Sequence, residues 1–184
     1  MPVTELRFVS RNPEKVREVT AILGRVGVKV QSIDVAIEEL QTDNSDRLIR
    51  HKAIAAYERI RQQLIVEHTG LHLEYLNGLP GGLTQVFWDR LLADRFATLF
   101  GNTSDPGATA RTQVAYVDGK TIFVSTGEIK GRIAKAPAGP QGFQWDCVFV
   151  PSGYTQTFAE MGTTKKNEIS MRRQALDKLA EHLK

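Results

Sequence analysis

Eight residues in the middle of the chain, Leu64-Ile65-Val66-Glu67-His68-Thr69-Gly70-Leu71, constrain the fold more than any other stretch. A short apolar run ends on two ionisable side chains and breaks at glycine, and Asn77-Gly78-Leu79-Pro80-Gly81-Gly82 turns the chain soon afterwards. This pattern suits a buried strand that delivers chemical groups to the edge of a sheet, where ligands sit in α/β proteins. A strand that merely ends in a polar turn would leave the same trace, so the neighbouring segments have to decide.

Upstream, Leu6 to Ser10 reads as a first strand. It stops at Arg11-Asn12-Pro13, a helix start with Asn12 as N-cap and Pro13 at the first helical position. Val16, Val19, Leu23 and Val26 would line one face of that helix, which ends at Gly27. A strand–loop–helix junction is a natural anion site, because free backbone N–H groups and the positive helix end meet there. Ser10, Asn12 and Lys15 add a hydroxyl, an amide and an ammonium to it; a plain capping loop with a surface lysine is the alternative. Val28 to Ile33 is a second strand, followed by an acidic segment from Glu38 to Asn44. Ser45 is a cap for the next helix, which runs to about Arg61 with Leu48, Ile49, Ala53, Ala56, Tyr57 and Ile60 as its stripe. Lys52 falls inside that stripe, where an unpaired ammonium is costly. It either snorkels to solvent or points into a cleft that holds an anion.

Downstream, Thr84 caps a helix carrying Phe87, Trp88, Leu91, Leu92 and Leu99, an aromatic face for the core or for a subunit contact. Gly101 to Thr109 is a loop, and Arg111–Val117 and Lys120–Ile129 form a hairpin around Asp118-Gly119. Gly131 to Gly142 is a Pro- and Gly-rich connection. Phe143 to Val150 alternates like a strand, with Trp145, Cys147 and Phe149 on one side and Asp146 on the other. Trp145 and Asp146 suit either a base-recognition pair or a core tryptophan beside a strand-end aspartate. Asn167 would cap a last helix whose stripe of Ile169, Leu176, Leu179 and Leu183 includes a second misplaced cation, Arg172.

The chain has 184 residues, enough for one large domain or one domain with two lobes around a cleft. A net charge of +3 is too small to argue for nucleic acid, and no basic patch is interleaved with aromatics. The single cysteine, Cys147, excludes an internal disulfide and a multi-cysteine metal site, which makes a reducing, cytoplasmic setting the expectation. No apolar run approaches the roughly 20 residues of a membrane span. The stretch Met1-Pro2-Val3-Thr4-Glu5 lacks the layout of a signal peptide.

Taken together, these segments resemble the inosine triphosphate pyrophosphatase family, enzymes that cleave non-standard purine nucleoside triphosphates. Val9-Ser10-Arg11-Asn12-Pro13-Glu14-Lys15-Val16 matches its phosphate loop, and Leu76-Asn77-Gly78-Leu79-Pro80-Gly81 its glycine–proline–glycine turn. Gly131-Arg132-Ile133, Phe143-Gln144-Trp145-Asp146, Gly153-Tyr154, Thr157 to Met161 and Lys166-Asn167 through Ser170-Met171-Arg172 follow in the family's order. The resemblance implies an α/β fold with a long mixed central sheet, flanking helices and two lobes around a nucleotide cleft, over residues 1–184 as one domain, in a homodimer. It implies Ser10, Asn12, Lys15 and Lys52 on the triphosphate, and Phe143, Trp145, Asp146, Lys166 and Arg172 around the base. Glu39 and Glu67 would bind Mg2+, with Glu38 an alternative to Glu39, and Glu67 and His68 would be catalytic.

The chain departs from the family's pattern at four of these positions. An acidic pair is usual where this chain has Glu67-His68, and the missing aspartate is the residue credited with activating water. Imidazole is a poor substitute as a magnesium ligand but an adequate general base near neutral pH. Met171 stands where histidine is usual and cannot donate to a purine oxygen. Gln144 replaces a glycine and Cys147 a proline. The expectation is a divergent member with an intact phosphate grip, acting either as a triphosphate pyrophosphatase or as a nucleotide-binding protein with little hydrolysis.

Overall fold

The computed structural model describes residues 3–184; Met1 and Pro2, where the N-terminal stretch was read for a leader, lie outside the described residues. Six strands form one mixed sheet in the order β2-β1-β3-β4-β5-β6. β1 (Glu5–Val9), β2 (Lys29–Ile33) and β3 (Leu64–Leu73) are parallel, whereas β4 (Gly107–Val117), β5 (Ile122–Ile133) and β6 (Phe149–Pro151) continue antiparallel. Helices α1 (Pro13–Gly24) and α2 (Ser45–Ile60) make the two crossovers between parallel strands. Helix α3 (Thr84–Gly101) follows the central strand, and α4 (Phe158–Ile169) and α5 (Met171–His182) close the chain. No helix among the described residues is long and apolar enough to cross a membrane.

Strand periodicity divides the core. Ile65, Val114 and Tyr116 face α1 and α5, packing with Val19, Ile22, Leu176 and Leu179. Their neighbours Leu64, Val66, Ala115 and Val117 point to the other face, against Ile49, Ala53 and Ala56 of α2. A third cluster joins the far ends of β3 to β5 with Phe96, Phe100, Trp145, Phe149 and Phe158. β3 carries 10 residues, but β1 pairs with it only at Leu64 and Ile65 before leaving the sheet at Ser10. Beyond that point one edge of β3 has no strand beside it, and a cleft opens at Glu67 and His68.

Several local expectations are corrected. α1 ends at Gly24, so Val26 lies past it and is exposed. Asn44, not Ser45, caps α2, its side chain accepting from the Arg47 N–H. α3 kinks at Leu92, which leaves Leu92 63% and Leu99 half exposed while Ala93, Phe96 and Ala97 take the inner face. Thr84 is its first residue and makes no capping bond; its hydroxyl serves Leu71 and Gly81 instead. The hairpin strands are longer than read, and Gly131–Ile133 belongs to β5 rather than to a loop. Residues 144–147 form a 3₁₀ turn, not a strand: backbone bonds Asp146 N–H to Phe143 O and Val148 N–H to Trp145 O close it. Aromatic and apolar residues buried on all sides of that turn imitated an alternation. Lys166 and Asn167 lie inside α4, and Ser170 is the residue that caps α5.

Candidate active site

The first junction folds as its residue types require. The Asn12 side-chain oxygen accepts from the N–H groups of Glu14 and Lys15 at 3.0 and 3.1 Å, and the Ser10 hydroxyl accepts from Asn12 N–H at 3.2 Å. The first-turn amides are therefore already engaged. An anion here would meet the side chains of Ser10, Asn12 and Lys15 rather than bare backbone. These residues line a cavity of about 290 Å3 together with Glu39, Lys52, Glu67, His68 and Thr69.

On the opposite wall the turn after β3 approaches the segment before α2. A Cβ on Gly82 would stand 2.2 Å from the Thr42 carbonyl oxygen, so only glycine permits this contact. Glu39 lies three residues before Thr42 in the same segment. The Lys52 ammonium, 13% exposed, bonds the Glu39 carboxylate and, at 2.9 Å, the main-chain oxygen of Glu67. The cation within the apolar stripe therefore faces the cleft.

Glu67 and His68 leave β3 on opposite faces. Glu67 receives Arg172 in a two-point grip, Nε to Oε2 at 2.6 Å and Nη2 to Oε1 at 2.8 Å, with the Thr69 hydroxyl at 2.9 Å and the Lys15 ammonium at 3.4 Å. Burial would raise its carboxyl, but Arg172 and then Lys15 overcome that and hold it well below the usual range. The Lys15 ammonium is shifted down, chiefly by burial and against the pull of Glu67. His68 is pushed down to about 4, first by burial and then by Lys15, so the imidazole is neutral at pH 7. Its Nε2 is buried without a hydrogen-bond partner. Gln113, directly opposite on β4, donates to Asp46 at the start of α2.

A second cavity of about 240 Å3 adjoins the first across the opening turns of α1. It is lined by Glu14, Glu18, Phe143, Asp146, Phe158 and Lys166, among others. The Lys166 ammonium lies 4.2 Å over the Phe143 ring and bonds both Asp146 and Glu18, the latter at 2.8 Å. Burial raises the Asp146 carboxyl, a shift Lys166 only partly offsets. Gln144 enters the first cavity at φ +44°, its amide donating to Gln85 of α3 at 2.6 Å.

The fold thus brings Ser10, Asn12, Lys15, Glu39, Lys52, Glu67 and His68 to one cavity, and Phe143, Asp146 and Lys166 to the next. Trp145 is not brought to either; it is 3% exposed and meets Phe149 edge-on in the core, the alternative reading of its motif. Arg172, 1% exposed, lines neither cavity and reaches Glu67 and Glu18 instead. Of the two adjacent carboxylates, Glu39 lines the first cavity and Glu38 does not. Glu18 is missing from the sequence reading. Its signal was available: a carboxylate four residues before Ile22 on the buried face of α1, just as conspicuous as Lys52 and Arg172.

Glu39 and Glu67 are the carboxylates available to a metal, and both are neutralised by cations. Among the described residues no group of three or more His, Cys, Asp or Glu side chains could hold an ion by itself. Two carboxylates beside an anion-binding junction instead suit a hard divalent ion that arrives with phosphate oxygens.

A mixed six-stranded sheet with an anion-binding helix start, two cations over a buried carboxylate and an adjoining aromatic–carboxylate pocket defines an α/β protein of the nucleotide-cleft class. Residues 6–182 match the Ham1 family, and the chain belongs to it. It is 36% identical over 178 residues to a dITP/XTP pyrophosphatase of Methanopyrus kandleri, covering 96% of this chain and 95% of that one. It is 37% identical over 174 residues to an inosine triphosphate pyrophosphatase of Yarrowia lipolytica, covering 94% and 92%. Among solved structures, a HAM1 protein from Coxiella burnetii superposes with a TM-score of 0.79 at 25% identity, covering 98% of each chain. A nucleoside-triphosphatase / dITP/XTP pyrophosphatase from Mycobacterium abscessus does so at 0.71 and 28%, covering 95% and 98%.

Proposed function

We propose that this chain hydrolyses non-standard purine nucleoside triphosphates to the monophosphate and pyrophosphate, working as one unit over residues 1–184. The observation that carries the proposal is the pair of adjoining cavities: Lys15 and Lys52 above Glu67 and His68 in one, and Lys166, Asp146 and Phe143 in the other. The triphosphate lies in the first, on Ser10, Asn12, Lys15 and Lys52, and the base in the second. Lys166 has one N–H left after Glu18 and Asp146 are served, and it donates to a 6-oxo group. A 6-amino group, itself a donor, meets an ammonium there. The names of the relatives point the same way.

Water attacks the α-phosphorus, the bond to the bridging oxygen breaks, and pyrophosphate leaves. His68 takes the proton from water; the imidazole is neutral, and the negative triphosphate raises its proton affinity from the depressed value of the free site. Glu39 and Glu67 would hold Mg2+ together with the phosphate oxygens, and the ion would supply neutralisation of phosphate charge. The protein acts in the cytoplasm as a homodimer; Phe87 and Trp88, the contact the sequence suggested, pack against the core, which leaves the exposed Val86 and Leu92 of α3 as candidate contacts.

A second reading, nucleotide binding without turnover, is favoured by one observation. A neutral imidazole stands where the family pattern has a carboxylate, and nitrogen is a poorer ligand than oxygen for a hard divalent ion. Pyrophosphate release from inosine, xanthosine and adenosine triphosphates with Mg2+, measured beside Glu67→Gln and His68→Asp, separates the two. Release by the natural protein that is lost in Glu67→Gln supports hydrolysis. Silence from the natural protein with release by His68→Asp supports the binding reading.

A further inference from the structure

Two glutamines meet at the rim of the first cavity, and one of them holds a backbone conformation that glycine would take freely. Gln144 sits at φ +44°, in the left-handed region. Its neighbours fix it there: Trp145 and Cys147 are buried in the core, and the Cys147 thiol donates to the Gln144 carbonyl oxygen at 3.8 Å. Phe143, on its other side, lines the second cavity, whereas Gln144 lines the first together with Gln85 of α3. The other non-glycine residues at positive φ among the described residues, Arg61, Asn77 and Leu92, line neither cavity. Strain that the core enforces at the border of two cavities points to the side chain it presents there.

The hydrogen bonds decide which way that side chain faces. The Asp89 carboxylate only accepts, so Gln85 turns its Nε2 toward it, at 2.6 Å. Gln85 then offers Oε1 to Gln144, which donates from its own Nε2 at 2.6 Å. This order leaves Gln144 with a carbonyl oxygen and one N–H uncommitted among the described residues. Lys15 and Lys52, elsewhere in the cavity, suit phosphate oxygens, but a carbonyl oxygen repels them and calls for a donor. A hydroxyl group matches both atoms, giving one bond and taking one.

From this arrangement we infer that Gln144, oriented by Gln85 and Asp89, reads a hydroxyl of the nucleotide sugar and makes the cleft favour nucleotides that carry it. This rests on the proposed function, which puts the base in the second cavity and the triphosphate in the first. The sugar that joins them then passes Gln144. A sugar without the hydroxyl leaves the oxygen of a fixed amide with no donor. The contact is the same before and during attack on the α-phosphorus, so it acts on affinity and KM and leaves kcat alone.

Titration calorimetry on the full-length protein without Mg2+ tests this, with inosine triphosphate and its 2′-deoxy and 3′-deoxy forms as ligands. One of the deoxy forms is expected to bind about tenfold more weakly than the parent, and which one it is tells which hydroxyl is read. Gln144→Ala keeps the Cβ and deletes the amide; it should weaken the parent alone and bring the ratio to within about twofold of one. Gln85→Met leaves the Gln144 amide free to rotate and should cut the ratio to about threefold. Equal affinity of the natural protein for all three ligands refutes the sugar contact and leaves both cavities assigned as they are. So does a preference that survives in Gln144→Ala, or a loss in that variant shared equally by the three, the mark of a merely structural role. If no triphosphate binds, the assignment of the cavities falls and takes the sugar contact with it.

Discussion

Gly127→Ala is the substitution that most directly tests how the sheet builds the site. Gly127 lies in the middle of β5, paired with Thr112, which in turn pairs with Thr69 two residues beyond Glu67. The first turn of α5 rests on this glycine. A Cβ there would stand 1.9 Å from the Met171 carbonyl oxygen, 2.7 Å from the Ala175 nitrogen and 2.8 Å from the Gln174 Cβ. Ordinary contact begins at 3.4 Å, so the start of α5 has to retreat by roughly 1.5 Å. Arg172 is the second residue of that helix, and the bonds it makes to Glu67 at 2.6 and 2.8 Å would open to roughly 4 Å, beyond hydrogen-bond range. Overpacking of this kind costs about 1–3 kcal/mol, and the loosened buried pair adds to it. At about 3 kcal/mol the melting temperature falls by roughly 6–12 °C for a chain of this size. Pyrophosphate release should fall by about 100-fold, the usual consequence of displacing a positioned group by 1 Å. Gly24→Ala, with no atom within 4 Å of the added Cβ, is the control and should leave both unchanged. Calorimetry and a pyrophosphate assay on the three proteins suffice. An alanine at 127 with parental melting temperature and turnover would refute the claim that α5 sits where it does because β5 lacks a side chain there.

Other perturbations have equally definite outcomes. His68 titrates at about 4 in the folded protein against an ordinary value of 6.5, so below pH 6.5 the unfolded chain gains a proton that the native site refuses. Stability should fall by about 3 kcal/mol between pH 6.5 and pH 4 from this group, and chemical denaturation of His68→Gln should show a correspondingly flatter profile. Glu67→Gln leaves Arg172 and Lys15 facing each other without their counter-ion, and urea unfolding should register a loss of about 3–5 kcal/mol; a neutral result would mean that Glu18 alone compensates Arg172. Lys52→Met removes the bridge between Glu39 and the Glu67 main chain, and titration calorimetry should record at least about tenfold weaker triphosphate binding with nucleoside binding unchanged. Gln144→Gly relieves a non-glycine residue held at φ +44° and deletes its bond to Gln85, so hydrogen exchange in residues 139–144 should accelerate while global stability changes by less than about 1 kcal/mol.

What could be read from the chain alone were the features governed by local rules. Asn12-Pro13 starts a helix because an amide oxygen satisfies first-turn donors and proline lacks an N–H to lose, and the structure has that cap. The apolar run from Leu64 marks a buried strand, although β3 continues through Gly70 to Leu73 where the sequence suggested a break, and Lys52 takes the cleft-facing one of its two readings because an ammonium in an apolar stripe needs a partner. The 3₁₀ turn at 144–147 and the break between α4 and α5 at Ser170 were misread, since buried residues on every side erase the periodicity by which such elements are recognised. The sequence by itself could place ionisable residues on buried faces, but pairing them required the tertiary structure. Glu18, Lys166, Arg172 and Glu67 are separated by up to 154 positions, and no short-range pattern states which carboxylate a buried cation will meet. Only the packing of α1, α4 and α5 on one face of the sheet brings their charges within bonding distance. The same packing turned Arg172 away from the cavities, and burial of the 144–147 turn carried Trp145 into the core. Propensity and periodicity act over a few residues, whereas charge compensation in a dry interior is settled by whatever the fold brings together.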